Sequence, residues 1–440
     1  SSMISQRQDT LIQKDSMQVA ATDTAFINRE LSLTRAFITR AETDQGAINT
    51  SNMYYVVPRK RMDPMAIADS VLNGKNDSAF AADKTYGAMK QQLAVYYNAA
   101  KNGGWEPIVS GVGLKKGSKS AAVTSLKKRL AMTNDYPASD TSAVFTDSLV
   151  TAIKDVQQRN GLAATGNVND SLISALNIPA SERLQQILVN MNRMKWMPYQ
   201  NTGNRIEVNL PSQMLYAWEG NTRTLEMPVI IGDEGSGTLS FSGEISQVVF
   251  NPAWNIPESI VKKEIMPAMK KDPAYLKKHN MEVVGHNDSI PVIRQLPGKD
   301  NPLGKVKFLF PNSFDIYLHD TPDKSVFEKK NRALSHGCIR VADAEKLAAY
   351  ILRDQKEWTP EKINAAMNGN QEQVVAVNNQ PVQINYFSAW VDASGKIHFR
   401  KDINGRDKKI FARLFISPDS TEGVAALPKP GRSGNTRSKA

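Results

Sequence analysis

The stretch Arg205-Ile206-Glu207-Val208-Asn209-Leu210 alternates with a period of two, and Gln213-Met214-Leu215-Tyr216-Ala217-Trp218 repeats the alternation after a short break. This period is typical of β-strands that bury one face. The apolar segments Met227–Gly232 and Ser246–Phe250 follow as further strands. Several short strands in succession predict a mainly β domain that begins near residue 203.

The β pattern is interrupted and then resumes. Residues 257–304 change to helix and loop, with Gly, Pro, Asn and Asp concentrated in 285–304. An insertion of this length between strands is usually functional, so we interpret it as a cap over a site. Asp343 is placed to cap a helix from about Ala344 to Arg353. Strands return at Val306–Phe310, Asp315–His319, Gln383–Val391 and Ile397–Phe399.

The first half of the chain has helical periodicity instead. Residues 20–110 space their apolar side chains at helical intervals, as in Ala25–Ile38 and Asp83–Ala100, and Asp63-Pro64 is typical of a helix start. These features predict a helical scaffold. Residues 111–180 predict a module of three short helices.

The predicted fold is therefore α+β and multidomain. The expected order is a helical scaffold at 20–110, a three-helix module at 111–180 and a mainly β domain at 203–416, with the cap inserted at 257–304. The tail at 417–440 is rich in Pro, Gly, Ser and Lys, and we expect it to be disordered.

Length and charge limit the broad class of protein. A chain of 440 residues is long enough for two to four domains. The net charge of +11 indicates either a lysine-rich solvated surface or attraction to an anionic polymer, such as nucleic acid or cell wall. No zinc-finger or RNP motif favours nucleic acid. No apolar stretch approaches the roughly 18 residues that suggest a membrane span.

The sequence contains one cysteine, Cys338, within Ser335-His336-Gly337-Cys338-Ile339-Arg340. A lone cysteine cannot form an internal disulfide, and most free cysteines are buried and inert. A nucleophilic cysteine instead needs a group that removes its proton, and histidine is the usual one. His336 lies two residues away, and His319 closes a predicted strand before a turn, at the end of the sheet. The sequence therefore predicts a nucleophilic thiol with two candidate bases.

The residues around Cys338 also suit the stabilisation of an oxyanion. Gly337 allows close backbone approach, and the amides around Gly337 and Cys338 are natural donors. The five histidines and one cysteine form no cluster with the spacing of metal ligands, so no metal or other cofactor is predicted.

These motifs resemble a known family. His319, a gap of 15 residues and then Ser335-His336-Gly337-Cys338 is similar to the active-site signature of YkuD-type L,D-transpeptidases. Similarity continues through Asn251–Pro257, Arg294–Gly298, Asn301–Lys305, Phe310–Asn312, Tyr317–Pro322 and Arg332.

The three-helix module resembles the peptidoglycan-binding domain type 1. The matching residues are Leu126–Leu130, Phe145–Asp147, Ala152–Lys154, Gln157–Leu162, Thr165-Gly166 and Ala175–Asn177. With the helical first part, the chain resembles the large, YcbB-like branch of the family from about residue 85 to 415.

The resemblance implies specific catalytic roles. Cys338 would attack the carbonyl after the L-centre of diaminopimelate, or its equivalent, in a donor tetrapeptide stem and expel D-Ala. His319 would be the general base, although nearness in sequence favours His336. His336 would instead orient the site and lend its amide to the oxyanion hole beside Gly337.

Five residues are predicted to contact substrate: Tyr317, Ser335, Arg340, Arg294 and Asn301. Tyr317 is expected to line the pocket and Ser335 to support His336. Arg294 and Asn301 belong to the cap. Arg340 is expected either to hold a substrate carboxylate or to form a structural ion pair. Trp254 is expected in the core or in the pocket wall.

The acceptor of the acyl group stays open. An amine from a neighbouring stem gives a 3→3 cross-link, water gives L,D-carboxypeptidase activity, and related thiol hydrolases attach or detach wall proteins. A non-enzymatic wall-binding scaffold is the alternative from another class, and the intact Cys338 motif counts against it.

The implied partners are peptidoglycan stems as donor and acceptor, with carbapenem β-lactams as covalent inhibitors. The implied setting is cell-wall biogenesis and cell shape in the periplasm or cell envelope, with peripheral or anchored membrane association as a further expectation.

Overall fold

The structure is a computed structural model that describes residues 63–73, 84–109, 114–196, 203–233, 235 and 237–415. The predicted helix at Ala25–Ile38 and the tail at 417–440 lie outside the described residues. No helix in the described ranges is long and apolar enough to span a membrane.

Helices form the first part of the described chain. They are α1 Pro64–Asn73, α2 Lys84–Lys101, α3 Ala121–Ala131, α4 Asp147–Arg159, α5 Asp170–Leu176 and α6 Ala180–Trp196. The predicted three-helix module is α3–α5. Its helices begin at Ser120, Thr146 and Asn169, whose side chains each accept a backbone N–H of the first turn. Gly161 follows α4 with a φ of +69°, as expected for a residue that ends a helix.

Strands dominate from residue 205 onward. They are β1 Arg205–Asn209, β2 Met214–Glu219, β3 Thr222–Gly232, β4 Phe241–Phe250, β5 Trp254–Asn255, β6 Met281–Asn287, β7 Ile290–Gln295, β8 Val306–Leu309, β9 Leu318–His319, β10 Ala333–Ser335, β11 Ile339–Val341, β12 Gln373–Asn385, β13 Ala389–Val391 and β14 Ile397–Phe399. The prediction that this part of the chain is mainly β is confirmed.

Eight strands close into a barrel. The order is β3-β11-β9-β8-β4-β12-β1-β2, and β2 pairs with β3 to complete the ring, while β10 pairs with β3 outside it. Phe250, Phe308, Leu318 and Ile339 are fully buried in the main core. Each such side chain contributes about 1.5–3 kcal/mol when it leaves water.

Two helices cover the barrel core. These are α10 Ala344–Leu352 and α11 Pro360–Met367, numbered after three short helices of the cap. Asp343 begins α10, and its carboxylate accepts the amide of Lys346 at 3.0 Å, as the sequence predicts.

The strand predicted at Asp315–His319 is shorter than expected, because only Leu318–His319 forms it. The Asn312 side chain accepts the amides of Phe314 and Ile316 at 3.0 and 3.1 Å, which folds this segment into a loop. Asp315 has a φ of +53°, which an extended strand does not allow. A side chain that accepts hydrogen bonds from nearby backbone amides therefore ends the strand pattern early.

The cap contains a small sheet in addition to the predicted helices and loops. Its helical segments are α7 Glu258–Ile260, the π-helical turn Val261–Ile265, α8 Met266–Lys271 and α9 Tyr275–Lys278. The sheet has the order β5-β7-β6. The hairpin of β6 and β7 was missed because its Gly, Pro, Asn and Asp residues suggested loop, whereas Asp288 takes a φ of +51° between the two strands.

The last part of the described chain joins a second core. Phe399 of β14 and Ile410 of α12 Arg406–Leu414 pack with Leu93 and Leu184 of the helical scaffold. The predicted range 203–416 therefore contains segments of two cores. A strand pattern indicates that a segment is buried on one face, and it does not identify the partner.

The three-helix module is tied to this second unit through Arg159. The guanidinium forms an ion pair with Asp155 at 3.1 Å and another with Asp135. Its Nη1 donates to the carbonyl of Ile397 in β14 at 3.0 Å. Arg400 returns the contact by donating to the Arg159 carbonyl at 2.8 Å.

Candidate active site

The candidate catalytic residues meet on the outer face of the barrel, where β9 and β11 run parallel. The register pairs Leu318 with Ile339 and His319 with Arg340. Leu318 and Ile339 point into the barrel core. Because side chains alternate along a strand, His319 and Arg340 point outward. Cys338 lies one residue before Ile339 and therefore shares the outward face.

Cys338 sits at the end of a tight turn. The Ser335 hydroxyl donates to the Cys338 carbonyl at 2.6 Å and accepts the Gly337 amide at 3.2 Å. Gly337 has a φ of +126°, which a residue with a Cβ rarely adopts. The turn that presents the thiol is thus held from inside by Ser335, which is itself buried.

Thr238 holds the same turn from the opposite side. Its hydroxyl donates to the Gly337 carbonyl at 2.7 Å and accepts the Gly232 amide at 2.8 Å. Arg406 of α12 in turn donates to the Thr238 carbonyl, and to Ser240 at 3.0 Å. The C-terminal helix is therefore connected to the turn that carries the candidate nucleophile.

His319 is buried, and its tautomer follows from its hydrogen bond. Nδ1 lies 2.6 Å from the Asp320 carbonyl, which can only accept, so Nδ1 carries the proton and Nε2 is free to accept one. Burial lowers the pKa of His319 to about 4, and the charge of Arg340 acts in the same direction. The imidazole is neutral at ordinary pH.

The segment that orients His319 is packed tightly. The Asp320 carboxylate forms an ion pair with Lys324 at 2.5 Å. Gly304 has a φ of +61° and lies against Asp320, where an added Cβ would come within 2.4 Å of the carboxylate. Only glycine fits at this position without displacement of Asp320, whose carbonyl accepts the hydrogen bond from His319.

The Cys338 thiol is half-buried and neutral. Burial raises its pKa, although hydrogen bonds from Tyr317 act in the opposite direction. Sγ lies 3.6 Å from the Asp315 carbonyl, to which the thiol donates. Burial, and next the thiolate form of Cys338, hold the pKa of Tyr317 well above its usual range, while Trp254 of the cap acts on that pKa in the opposite direction. The thiol, Tyr317 and the cap are thus linked in one chain of contacts.

Two further residues, His336 and Gly337, are predicted to act in catalysis. The His336 side chain is exposed at the surface. The Gly337 amide already donates to Ser335, so in this conformation it is not free to stabilise an oxyanion. The role of Gly337 as an oxyanion donor stays a prediction, because it requires this amide to leave the Ser335 hydroxyl.

The five residues predicted to contact substrate differ in how exposed their side chains are. Tyr317 and Arg340 are partly exposed beside Cys338, where a ligand can reach them. Ser335 is buried, and its hydroxyl forms hydrogen bonds within the turn. Asn301 is 1% exposed, and its amide donates to the carbonyls of Pro252 and Leu296, so its contact with substrate stays a prediction.

Arg294 lies in β7 of the cap, and its Nε donates to Asn255 at 3.1 Å. The remainder of its guanidinium is partly exposed. Thr238, Asp315 and Asp320 contribute to the site but were not predicted. Thr238 acts through a contact to a residue 99 positions away, for which the sequence has no local signal.

Two family models match the chain. Residues 203–384 match the YkuD L,D-transpeptidase catalytic domain. Residues 119–176 match the model described as "Putative peptidoglycan binding domain". The chain thus combines these two domains, as their motifs predict.

Individual relatives are similar over parts of the chain. A Haemophilus influenzae protein named "Putative L,D-transpeptidase" is 33% identical over 253 residues, which are 53% of this chain and 51% of that protein. The chain therefore spans about half the length of this curated relative.

Solved structures of L,D-transpeptidases share limited similarity with the chain. The protein from Stackebrandtia nassauensis is 15% identical and covers 64% of this chain and 98% of its own, with a TM-score of 0.26. L,D-transpeptidase 3 from Mycobacterium tuberculosis, in complex with a faropenem-derived adduct, is 14% identical and covers 42% of this chain and 60% of its own, with a TM-score of 0.22.

Proposed function

We propose that this protein is a peptidoglycan L,D-transpeptidase that forms 3→3 cross-links through an acyl-enzyme on Cys338. One observation carries the proposal. The barrel register puts the thiol-bearing turn diagonally next to His319, whose Nδ1–H donates to Asp320 and leaves Nε2 as a proton acceptor. A nucleophile beside an oriented base is the arrangement that acyl transfer requires.

The first step acylates Cys338. The thiol leaves the Asp315 carbonyl and transfers its proton to His319 Nε2 as Sγ bonds to the carbonyl carbon of the donor stem. The bond between this carbon and the nitrogen of D-Ala then breaks, and His319 returns the proton to the departing amine. Because the resting thiol and imidazole are both neutral, the proton moves during the attack and no thiolate–imidazolium pair is stored beforehand.

The second step transfers the acyl group. The amine of an acceptor stem attacks the thioester, the carbon–sulfur bond breaks, and Cys338 recovers a proton from that amine through His319. Water in place of the amine gives L,D-carboxypeptidase activity or detachment of a wall protein, because the nucleophile and base are the same.

Arg340 supports recognition of an anionic donor. It lies two residues after Cys338 on the same face, and its buried Nε has no hydrogen-bond partner among the described residues. A carboxylate supplies the acceptor that this N–H lacks. The carboxylate of the departing D-Ala is the one nearest to the attacked carbonyl, so we assign it to Arg340.

The three-helix module supports a location on the cell wall. We propose that it binds peptidoglycan and keeps the catalytic domain close to its substrates in the cell envelope or periplasm. Carbapenems present a strained amide to the same thiol, so we propose that they acylate Cys338 irreversibly.

Purified disaccharide-tetrapeptide tests the proposal when products are identified by mass. The wild-type protein is expected to form 3→3 dimers and release D-Ala, and Cys338→Ala is expected to form none. Tripeptide without dimer would instead identify the carboxypeptidase. Dimers made by Cys338→Ala, or a carbapenem that leaves the intact mass of the wild type unchanged, would contradict the role of Cys338.

A further inference from the structure

The turn that carries the thiol leaves the Cys338 amide without a partner. The Ser335 hydroxyl donates to the Cys338 carbonyl at 2.6 Å and accepts the Gly337 amide at 3.2 Å. The Gly337 carbonyl accepts the Thr238 hydroxyl at 2.7 Å. Within the described part of the chain, the Cys338 amide alone among these backbone groups has no hydrogen-bond partner. Backbone amides that are partly removed from water are rarely left unpaired, so this N–H requires an explanation.

This amide belongs to the residue whose Sγ would attack the substrate. When a nucleophile adds to a carbonyl carbon, the carbonyl oxygen becomes an oxyanion, and a donor aimed at that oxygen stabilises it. The amides of Gly337 and Cys338 are both predicted as such donors. That of Gly337 is engaged with Ser335, whereas that of Cys338 is available without any change in the turn.

The direction of the Cys338 amide is set from the other end of the same peptide group. The peptide bond between Gly337 and Cys338 is trans, so its carbonyl and its N–H point in opposite directions. The Thr238 hydroxyl must donate to this carbonyl, because its other partner, the Gly232 amide at 2.8 Å, can only donate. Thr238 is 1% exposed, so water does not compete for this hydrogen bond. Thr238 therefore fixes the orientation of the amide.

Arg406 of α12 holds Thr238 in place. Its Nη2 donates to the Thr238 carbonyl, and its Nη1 donates to the Ser240 hydroxyl at 3.0 Å. One planar guanidinium thus fixes two positions of the segment before β4, which the single ammonium group of a lysine does not do with the same geometry. The guanidinium lies over the Tyr386 ring, 4.7 Å from its centre.

The helix that carries Arg406 is anchored outside the barrel. The Asp402 carboxylate accepts the Arg406 amide at 2.8 Å. The next residue, Asp407, forms a buried ion pair with Arg193 of α6 at 2.6 Å and accepts the Ser388 hydroxyl at 2.5 Å. The position of the Arg406 side chain is therefore set by the second core, which is shared with the helical scaffold.

We propose that Arg406 is a positioning residue that acts through Thr238 to direct the Cys338 amide at the oxyanion of the acylation step. This inference rests on the proposed function. In that step Sγ bonds to the donor carbonyl carbon, the carbonyl electron pair moves to the oxygen, and the Cys338 amide donates to it. The carbon–nitrogen bond of D-Ala breaks as the oxygen regains its double bond, and His319 returns its proton to the departing amine.

Two reactions of the same thiol separate positioning from general damage. Acylation by saturating disaccharide-tetrapeptide passes through an oxyanion and is followed as D-Ala released in the first turnover. Alkylation by iodoacetamide displaces iodide from a saturated carbon, forms no oxyanion and is followed by intact mass. Arg406→Met is expected to lower kcat for acylation by about threefold to tenfold, with KM and the alkylation rate close to those of wild type.

Arg205→Met is the matched control. Arg205 also lies over an aromatic ring, that of Trp218 at 5.0 Å, and donates to a backbone carbonyl, that of Gly220 at 2.9 Å. Gly220 precedes β3, whereas Gly232 and the thiol-bearing turn lie at the opposite end of that strand. Arg205→Met should leave the rates of both reactions unchanged.

A double variant tests whether Arg406 acts through Thr238. Arg406→Met combined with Thr238→Val should acylate no more slowly than Thr238→Val alone, because both changes release the same peptide group. Arg406→Lys, which keeps the charge but not the planar fork, takes the place of Arg406→Met if that variant does not fold.

Equal losses in acylation and alkylation would identify Arg406 as merely structural and overturn the inference alone. The absence of any loss in acylation, or additive losses in the double variant, would overturn it as well. A wild type that is alkylated at Cys338 but releases no D-Ala would overturn the proposed function and the inference with it.

Discussion

The barrel buries its apolar side chains in a closed ring of strands covered by helices, whereas the separate core of the cap contains four buried side chains: Ile256, Val261, Ile265 and Ile293. The barrel carries the thiol and the imidazole. The cap contributes Trp254, which contacts Tyr317, and Arg294, which is predicted to contact substrate. The proposed nucleophile and base thus lie in the part with the larger buried core, whereas the proposed contacts to substrate depend partly on the cap, which has few buried contacts.

The largest expected effect tests whether acylation requires His319, the proposed base on the barrel. His319→Gln keeps a hydrogen-bonding side chain but removes the base, so acylation of Cys338 should slow by about 10²- to 10⁴-fold. The rate is measured by quenched-flow intact mass with a saturating donor. His398→Gln is the control, because His398 is also largely buried but bonds to Asp392 in the C-terminal hairpin. Equal rates in His319→Gln and wild type would remove His319 from the mechanism.

A matched pair of core truncations compares the two regions directly. Ile245 in the barrel and Ile293 in the cap are both fully buried, so either change to Ala should cost about 2–5 kcal/mol in its own unit. Ile245→Ala should lower the urea midpoint of global unfolding. Ile293→Ala should instead speed hydrogen exchange in residues 254–303 and leave the barrel midpoint almost unchanged. Equal shifts of the midpoint would mean that the cap and barrel unfold as one unit.

The pH dependence of stability reports on the burial of His319. Its pKa is about 4 in the folded protein and about 6.5 when unfolded, so the unfolded chain binds the proton first as pH falls. The contribution of His319 to stability should therefore decrease between pH 6.5 and 4, by about 3 kcal/mol, and level off below that range. His398, whose pKa is also lowered by burial, adds a loss of the same sign.

The difference between wild type and His319→Gln isolates the contribution of His319. Urea midpoints at a series of pH values give this difference. It should disappear above pH 7 apart from a constant offset. A difference that stays constant through pH 4 would show that His319 is hydrated in the folded protein.

The smallest expected effect concerns the hydrogen bond by which Thr238 holds the turn that carries Cys338. Thr238→Val removes the hydroxyl that bonds to the Gly337 carbonyl and keeps the shape, so kcat for acylation should fall by about threefold to tenfold. Thr238→Ser should restore it. Thr224→Val is the control, because Thr224 bonds to Ala217 in the β2–β3 pair. A loss confined to KM would argue against a role in positioning Cys338.

Local patterns predicted much of this fold. Alternation located most of the barrel strands, and the helix that Asp343 begins follows from its capping side chain. The same reasoning failed where a side chain competes with the backbone, as Asn312 does before β9. It also failed in the cap hairpin, where turn residues hid two strands.

The candidate site was only partly predictable. The single cysteine and its spacing from His319 predict a nucleophile and a base. The sequence predicts roles in catalysis or substrate binding for Gly337, Ser335 and Asn301, but it does not reveal the hydrogen bonds that each of them also makes within the fold.

The sequence by itself determined most element types, the two recognisable domains and the candidate nucleophile, because these depend on neighbours within a few residues or on a linear motif. Tertiary structure decided that His319 is neutral with a free Nε2, that Thr238 supports the Cys338 turn, and that Arg340 lies beside the imidazole. Those facts depend on the register between strands far apart in the chain. Closure of the barrel sets that register, and no local pattern encodes it.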